Sequence, residues 1–177
     1  MSSPKVHSAV ALLTCLLILV FVNLSIAGKE QHLAAGRVVY LDLAPVDPRS
    51  LMQGDYMALN FAVATEANRR LPRDLESDGL LGSFGPGDGN MVVALDERSI
   101  GSFVRIDDDQ DLAENEIAMR YRIRNDRLKF ATNGYFFKEG TAELYEDARY
   151  GKFRVDEKGE LLLTHLCDEN LQELGGG

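Results

Sequence analysis

The sequence predicts an α+β protein, in which an N-terminal transmembrane helix precedes one mainly antiparallel β-sheet domain with one or two short helices. Of the 19 residues from Ala9 to Ala27, 16 are apolar and none is charged. After this segment, short runs of alternating apolar and polar residues are separated by turn-forming residues, a pattern typical of strands joined by hairpins. The pattern contains no βαβ alternation and no internal repeat, which favours an antiparallel sheet.

Residues 9–27 are long enough to cross a membrane as a helix, which rises about 1.5 Å per residue. A cleaved signal peptide is the main alternative, because Lys5 precedes the apolar segment and small residues surround Ala27. The apolar segment is longer than the roughly 7–15 residues usual in signal peptides, so we favour an uncleaved anchor over a signal peptide and over a buried helix. The lipid bilayer is the expected partner of residues 9–27.

The charges that flank the apolar segment do not decide its orientation, because Lys5 precedes it while Lys29 and Arg37 follow it. Long domains translocate regardless of such small biases, so we favour a short cytoplasmic tail and a domain on the periplasmic side of a cell membrane. The chain is then divided into an N-terminal tail (1–8), the anchor (9–27), a linker (28–36), the sheet domain (37–168) and a C-terminal tail (169–177).

Residues 28–177 are acidic, with 18 Lys and Arg against 28 Asp and Glu. This charge disfavours binding to a nucleic-acid backbone, so we expect no nucleic-acid partner. Cys167 is the one cysteine after the apolar segment, which excludes a disulfide within the domain. About 150 residues suffice for a single domain with a real core.

The first half of the domain is predicted to contain two strands and a helix. The helical leader continues through Leu33, and residues 37–43 are rich in β-branched and aromatic side chains that favour a strand. Gly54-Asp55 predicts a turn into a strand over 56–63, and residues 64–71 predict a short helix that Pro72 ends. Residues 78–90 contain five glycines and predict a loop. The apolar residues expected on one face of the second strand are Met57, Leu59, Phe61 and Val63.

The second half is predicted to consist of three hairpins and one helix. Strands over 91–95 and 100–106 flank a four-residue loop, and alternation from 117 to 123 predicts a strand that turns at Asn125-Asp126 toward Phe130. Residues 139–149 have near-helical apolar spacing, with Gly151 as a left-handed cap. The last hairpin joins 153–155 to 161–166.

Four motifs suggest chemistry, and for each we favour a structural explanation. Asp107, Asp109 and Asp111 begin like a calcium loop, but the required glycine and glutamate are missing, so we expect a solvated acidic loop. His165 and Cys167 lie on one strand face without a second ligand pair, and the glycines of 79–89 lack the lysine of a phosphate loop. A serine–lysine protease site is disfavoured because no lysine occurs between residues 29 and 129. We therefore expect no metal, no cofactor and no catalytic residues.

Basic residues alternate along the predicted strand of 116–124, at Arg120, Arg122 and Arg124. Such a stripe suits either an anionic partner or acidic side chains on the neighbouring strands. We favour the second alternative, because cross-strand pairs of opposite charge stabilise a sheet.

The segment from Gly54 to Phe61, Gly-Asp-Tyr-Met-Ala-Leu-Asn-Phe, resembles the signature of the GDYXXLXY protein family, with Phe61 in place of the final tyrosine. Residues 44–51, 135–140 and 148–154 are also similar to that family. The resemblance extends from the apolar segment to Leu166 and implies a bacterial, membrane-anchored protein. It supplies no established catalytic residues. The signature residues are Gly54, Asp55, Tyr56, Leu59 and Phe61.

Two interpretations of these motifs remain open. In the structural interpretation, Gly54 permits a turn, Asp55 bonds backbone amides, and Leu59 and Phe61 enter the core. In the sharper hypothesis, five side chains converge on one polar pocket that binds a small ligand or hydrolyses it: Asp55, Tyr56, Glu139, Arg149 and Tyr150. We favour a non-enzymatic accessory or interaction module of the cell envelope, whose partner is a multi-span membrane protein.

Overall fold

The structure is a computed structural model that describes residues 4–44, 52–53, 56–70, 87–106, 110–124, 127–130, 132 and 134–175. The chain divides into two compact units, Met1–Gly36 and Arg37–Gly177. The predicted turn at Gly54-Asp55, the turn at Asn125-Asp126 and most of the 78–90 loop lie outside the described residues.

The first unit is one long helix, α1, which spans Pro4–Ala35. Between Val10 and Ile26 its large apolar side chains are exposed, from 45% for Val22 to 72% for Phe21. Three polar side chains of the apolar segment donate hydrogen bonds to the carbonyl four residues earlier: Thr14 to Val10 at 2.9 Å, Asn23 to Leu19 at 3.0 Å and Ser25 to Phe21 at 2.9 Å. The helix therefore satisfies its own polar groups and leaves an apolar surface uncovered.

Within the described residues, the second unit contains ten strands, one helix and a short 3₁₀ turn. The helix α2 spans Ala62–Arg70, and the 3₁₀ turn spans Ala142–Tyr145. The strands are β1 (Arg37–Asp42), β2 (Met52–Gln53), β3 (Tyr56–Ala58), β4 (Gly87–Leu95), β5 (Gly101–Ile106), β6 (Glu116–Arg124), β7 (Arg127–Lys129), β8 (Gly134–Phe136), β9 (Tyr150–Val155) and β10 (Leu161–Cys167). The chain thus has the predicted fold class, an apolar helix followed by antiparallel sheet with a second, short helix.

These strands form three antiparallel sheets, with the orders β1-β9-β10, β2-β3-β8 and β5-β4-β6-β7. Backbone hydrogen bonds join the first sheet to the third at two places. The Tyr40 N–H donates to the Ser99 carbonyl at 2.9 Å, and the Arg120 N–H donates to the Gly159 carbonyl at 2.8 Å. These two links curl the sheets around a shared core. The fully buried side chains at its centre include Val39, Leu41, Met91, Val93, Met119, Phe153 and Leu166.

The predicted hairpins are confirmed where the structure describes them. β4 pairs with β5, β6 pairs with β7, and β9 pairs with β10, all antiparallel. The alternation along β6 also has the predicted sense, since Met119 and Tyr121 are buried while Arg120 and Arg122 are exposed. Local periodicity was sufficient for these elements because each hairpin pairs residues that are close in the sequence.

The predicted strand over 56–63 is wrong in its second half. β3 ends at Ala58 and α2 begins at Ala62, although all four apolar residues of the predicted face are buried. The Phe61 carbonyl accepts hydrogen bonds from the amides of Ala64 and Thr65, both at 3.1 Å, which starts the helix. An alternating pattern across a strand–helix junction is therefore indistinguishable from one continuous strand.

The predicted helix over 139–149, with its cap at Gly151, is also wrong. Only Ala142–Tyr145 form a 3₁₀ turn in this segment. The Arg149 N–H donates to the Cys167 carbonyl and its own carbonyl accepts from Leu43, both at 2.8 Å, so neighbouring strands take the groups that a helix would use. Gly151 lies inside β9, where a Cβ atom would come within 2.9 Å of the Phe61 ring.

Two further differences concern strands that the sequence patterns did not reveal. Residues 87–90, predicted as part of a glycine-rich loop, open β4 and pair with β6. β8 pairs with β3 through residues 134–136, and neither hairpin spacing nor a long apolar run marks it. Both pairings join segments that are far apart in the sequence. These strands therefore form because of their partners and not because of a pattern in their own residues.

Candidate functional site

The described part of the signature segment is built into the core. Leu59 and Phe61 are each 4% exposed, as the structural interpretation requires. The Phe61 ring stacks on Phe130 at a centroid distance of 5.5 Å and meets Phe153 edge-on at 5.2 Å. The backbone of the segment is fixed as well, because the Ala44 N–H donates to the Asn60 carbonyl at 2.8 Å. The Phe61 side chain therefore joins α2 to the first sheet.

Tyr56 lies on β3, directly opposite Phe136 on β8. The two ring centroids are 5.8 Å apart. Tyr56 is half-buried, whereas Phe136 is 80% exposed. The signature tyrosine thus supports an aromatic ring that projects from the surface.

The other residues of the predicted polar pocket occupy different local settings. Glu139 is exposed in the turn before the 3₁₀ helix, and Arg149 is exposed just before β9. Tyr150 is half-buried at the start of β9, where it pairs with Asp42 and Cys167. Asp55 and Gly54 lie outside the described residues, so the convergence of the five side chains stays a prediction.

The charge of Arg149 affects the ionisation of a neighbouring carboxyl group, that of Asp42. Burial raises the pKa of Asp42, and the positive charge of Arg149 partly opposes that shift. Asp42 pairs with Tyr150 across β1 and β9, which places the acid beside two of the predicted pocket residues.

A polar row crosses the first sheet, and the sequence analysis missed it. Tyr40, Lys152 and His165 lie opposite one another on β1, β9 and β10. Glu173, from the turn that follows β10, lies 2.6 Å from the Lys152 ammonium and 3.5 Å from His165 Nε2. The hydrogen bond between Glu173 and Lys152 lowers the pKa of the acid and raises that of the lysine. The row is invisible in the sequence because its members meet only through sheet register.

The C-terminal turn is held on β10 by backbone contacts as well. The Leu174 N–H donates to the Leu166 carbonyl at 2.8 Å, and Cys167 and Glu173 form an isolated antiparallel β-bridge. Asp168 accepts hydrogen bonds from the amides of Asn170 and Gln172, which shapes the turn. Residues 168–174 are therefore packed against β10.

Cys167 is completely buried beneath this turn. Burial raises the pKa of its thiol to about 11, so the sulfur carries a proton at neutral pH. His165, two residues earlier, keeps 40% of its side chain exposed. Among the described residues there is no group of three or more His, Cys, Asp or Glu side chains able to hold a metal ion. Cys167 is thus packed in the core, whereas His165 lies at the surface.

Tyr145 forms a second aromatic cluster, on the opposite side of β8 from Phe136. Its ring lies 5.3 Å from Tyr135 and 5.2 Å from Phe137. Burial raises the pKa of Tyr135, and the neighbouring Tyr145 hydroxyl raises it further. Along residues 135–137, Tyr135 and Phe137 thus face the Tyr145 ring while Phe136 faces solvent.

Two arginines of the stripe on β6, Arg120 and Arg124, pair with acidic side chains, as predicted. Arg120 lies 2.7 Å from Glu160 and 3.4 Å from Asp88, and Arg124 lies 3.4 Å from the same aspartate. All these side chains are at least 36% exposed, so each pair contributes little to stability. The stripe neutralises charge between neighbouring strands.

A surface pocket of about 760 Å³ lies between α2 and the end of the signature segment. Asn60, Thr65, Glu66 and Asn68 supply polar lining, and Phe61 and Leu128 supply apolar lining. Two of these side chains already have partners inside the domain, since Asn68 accepts a hydrogen bond from the Leu128 amide and Glu66 pairs with Arg69 and Arg70. This pocket is a concave site within reach of the signature.

These features define a class of protein: an apolar helix of membrane-spanning length joined to a small, curled, antiparallel-sheet domain. Val10–Ala35 is long and apolar enough to cross a membrane, with a mean hydropathy of 2.7 over its most apolar 18 residues, and a signal sequence near the N-terminus can have the same properties. The chain belongs to the GDYXXLXY protein family, whose model matches residues 18–166. No curated protein and no solved structure matches the chain.

Proposed function

We propose that this chain is a single-pass, membrane-anchored and non-enzymatic accessory module of the bacterial cell envelope, with its domain on the extracytoplasmic side. Its partner in this proposal is a multi-span membrane protein. The anchoring part of the proposal rests on α1, and the family match begins within that helix, at residue 18.

The observation that carries the proposal is the apolar surface of α1. None of its most apolar 18-residue window is buried in the structure. In water, so large an exposed apolar surface is strongly unfavourable, whereas in a bilayer it is not. The internal hydrogen bonds of Thr14, Asn23 and Ser25 meet the second requirement of a bilayer, which offers no water to polar groups.

Retention of the helix distinguishes an anchor from a cleaved signal sequence. The full chain is expressed in a bacterial host, the membranes are washed with alkaline carbonate, and the intact mass of the protein is measured. We expect the uncleaved mass in the membrane pellet. A soluble product that begins at residue 28 would refute the anchor.

A matched variant tests whether the apolar surface is responsible. Leu17→Lys places a charge in the exposed middle of α1, where it costs about 2.5–3.5 kcal/mol on insertion. Lys5→Gln alters the same unit outside the apolar segment and serves as the control. We expect a smaller fraction of the first variant than of the second to be retained in carbonate-washed membranes.

The accessory role is tested by mild detergent extraction followed by size-exclusion chromatography and crosslinking. A specific complex with one multi-span protein is the expected result. A monodisperse protein with no partner, after extraction that leaves other membrane complexes intact, would contradict it.

A second candidate, a ligand-binding or hydrolytic domain, is supported by the pocket beside Asn60 and Phe61. In this candidate Asp55 and Glu139 supply further polar groups, and Glu139 is not among the described residues that line the pocket. A small molecule that raises the melting temperature, with the effect abolished by Asp55→Ala in a folded protein, would favour it over the accessory role.

A further inference from the structure

Three hairpin turns of the domain share one geometry, and the turn after β10 is the least favourable of them. Each turn begins at an aspartate whose side chain accepts hydrogen bonds from the amides two and four residues later: Asp96, Asp156 and Asp168. The third residue after each aspartate has a positive φ angle, which is 62° at Ser99, 76° at Gly159 and 64° at Leu171. Leucine carries the largest side chain of the three in a conformation that L-residues with a Cβ atom disfavour. The turn after β10 therefore closes under strain.

Beyond this turn, the chain runs back along the free edge of β10 as a short antiparallel segment, residues 172–174, which we call the return segment. The Leu174 N–H donates to the Leu166 carbonyl at 2.8 Å. Directly afterwards, Gly175 has a φ angle of +69° and leaves the extended conformation. β10 is an edge strand of its sheet, and among the described residues only β9 pairs with residues 161–164. The return segment therefore covers one end of the edge and leaves the other end open.

The side chains of the return segment indicate what kind of peptide this edge accepts. Glu173 places one carboxylate oxygen 2.6 Å from the Lys152 ammonium and the other 3.5 Å from His165 Nε2. The next residue, Leu174, packs against the core, as the alternation of a strand requires. Added strands are recognised in this way, by main-chain hydrogen bonds and by separate sites for alternate side chains. The edge fits an acidic residue followed by an apolar one.

The return segment occupies this site incompletely. The 3.5 Å between Glu173 and His165 exceeds the roughly 2.7–3.2 Å of a good N–H···O hydrogen bond. The other ring nitrogen, Nδ1, is buried and has no hydrogen-bond partner in the described part of the chain. The ion pair with Lys152 is partly exposed, so water screens it, and the strain at Leu171 opposes closure of the turn. A longer strand that also bonds to residues 161–164 gains backbone hydrogen bonds that the return segment does not make.

We infer that the free edge of β10 is a docking site for an extended peptide of a partner protein, in which an acidic residue precedes an apolar one. The return segment is then an internal competitor that such a peptide displaces. All residues of the site belong to the second unit, so the inference is independent of the membrane anchoring by α1. It rests on the proposed accessory role, which supplies the protein partner, and it adds the chemistry of the partner segment.

Binding is tested with a fluorescein-labelled peptide, Gln-Glu-Leu-Thr-Val-Thr-Thr, which repeats the return segment and continues as a strand. The full chain in mild detergent is titrated, and fluorescence anisotropy is measured. We expect Glu173→Ala to bind the peptide about tenfold more tightly than the unchanged protein, because the tethered carboxylate no longer competes. Glu169→Ala removes an exposed acid of the same turn and should bind like the unchanged protein. Equal affinities for Glu173→Ala and the unchanged protein, or no binding to either, overturn the inference.

The acid-binding part of the site is tested from both partners. Lys152→Glu, added to Glu173→Ala, should abolish binding because it repels the peptide carboxylate. Lys158→Glu makes the same exchange at an exposed turn position and should leave binding unchanged. A peptide with glutamine in place of its glutamate tests the same contact without altering the protein, and we expect it to bind weakly. Undiminished binding of the glutamine peptide overturns the site.

Displacement of the return segment is measured by hydrogen exchange with mass spectrometry. Added peptide should accelerate exchange in the fragment 168–177, because the Leu174 amide loses the Leu166 carbonyl. It should slow exchange in the fragment that contains residues 161–164. Binding without these two changes places the peptide elsewhere and overturns the inference.

Size-exclusion chromatography of Glu173→Ala without peptide adds the outcome that concerns a second copy of the chain. We expect the elution volume of the unchanged protein. A dimer would overturn the inference in favour of pairing between two β10 edges. Failure of any of these tests leaves the accessory role intact, since detergent extraction and crosslinking test that role separately.

Discussion

Phe61 and Phe136 are two phenylalanines in very different surroundings. Phe61 ends the signature segment, and Phe136 lies on β8, the strand that pairs with β3 of that segment. Phe61 is 4% exposed and Phe136 is 80% exposed. Truncating a buried phenylalanine to alanine typically costs about 3–5 kcal/mol, whereas an exposed substitution stays within about 0.5 kcal/mol. We therefore expect Phe61→Ala to destabilise the domain strongly and Phe136→Ala to cost at most about 0.5–1.5 kcal/mol, the contribution of its ring pair with Tyr56.

The surroundings of Phe61 place the stability loss of Phe61→Ala at the upper end of the roughly 3–5 kcal/mol typical of a buried phenylalanine. Its ring contacts Phe130 and Phe153, and each aromatic pair adds about 0.5–1.5 kcal/mol beyond buried area. We expect a loss of about 4–5 kcal/mol, a large share of the roughly 5–15 kcal/mol that stabilises a typical domain.

Urea unfolding of the full chain in mild detergent, followed by circular dichroism in the aromatic region, measures both variants under one condition. The slope of free energy against urea should be equal in the two proteins, so that the midpoints report stability. Similar midpoints for Phe61→Ala and Phe136→Ala would refute the packing argument and the assignment of Phe61 to the core.

The backbone and the polar row support three more predictions. Gly159 and Gly140 have φ angles of +76° and +78°, and only at Gly159 would a Cβ atom come within 2.9 Å of a β6 carbonyl. Gly140→Ala should lower the free energy of unfolding by roughly 1–2 kcal/mol, the strain of a left-handed alanine. Gly159→Ala should lower it further, which thermal unfolding of the two variants measures. Glu173→Gln should lower the melting temperature slightly at pH 7 and flatten its decline below pH 4.5, because the pKa of Glu173 is lowered in the folded state by Lys152. In a chain whose leader cysteine is replaced by serine, Cys167 should react with a maleimide at pH 7 only after unfolding in urea, and fast reaction of the native protein would contradict its burial.

The sign of the pH prediction follows from linkage. A carboxyl group whose folded pKa lies below its unfolded value stabilises the fold above the unfolded pKa, and that contribution is lost as the pH falls through the folded pKa. Lys152 behaves in the opposite sense, because its raised pKa contributes below 10.5 and is lost at more alkaline pH. Both side chains are partly exposed, so water screens the pair and its contribution is small.

Much of the architecture follows from local patterns in the chain. The three hairpins, the burial of Met119 and Tyr121, and the start of β1 all depend on residues that are close in the sequence. The errors have a different origin. Phe61 alternates correctly with its neighbours, yet its carbonyl accepts the first hydrogen bonds of a helix. The helical spacing of 139–149 does not produce a helix, because Arg149 donates a backbone hydrogen bond to Cys167 and accepts one from Leu43. Periodicity identifies which side chains are buried more reliably than it identifies the backbone that buries them.

The candidate site divides in the same way. The signature and the arginine stripe are recognisable in the chain, and the acidic partners of Arg120 were expected as a class. The row of Tyr40, Lys152 and His165 was not predicted from the sequence. Its members come from strands distant in the chain and are adjacent only because of the sheet register. Asp55 and its proposed neighbours stay a prediction for experiment.

Consecutive residues alone are enough to identify an apolar segment of membrane-spanning length, an acidic domain of short antiparallel strands and the signature of the family, because composition and short-range periodicity are properties of neighbouring positions. Three other features emerge only in the folded chain: Phe61 is locked between two rings, Glu173 closes a polar row, and Phe136 projects into solvent. These three features cannot be predicted from the sequence, because burial and pairing depend on strands brought together from distant parts of the chain.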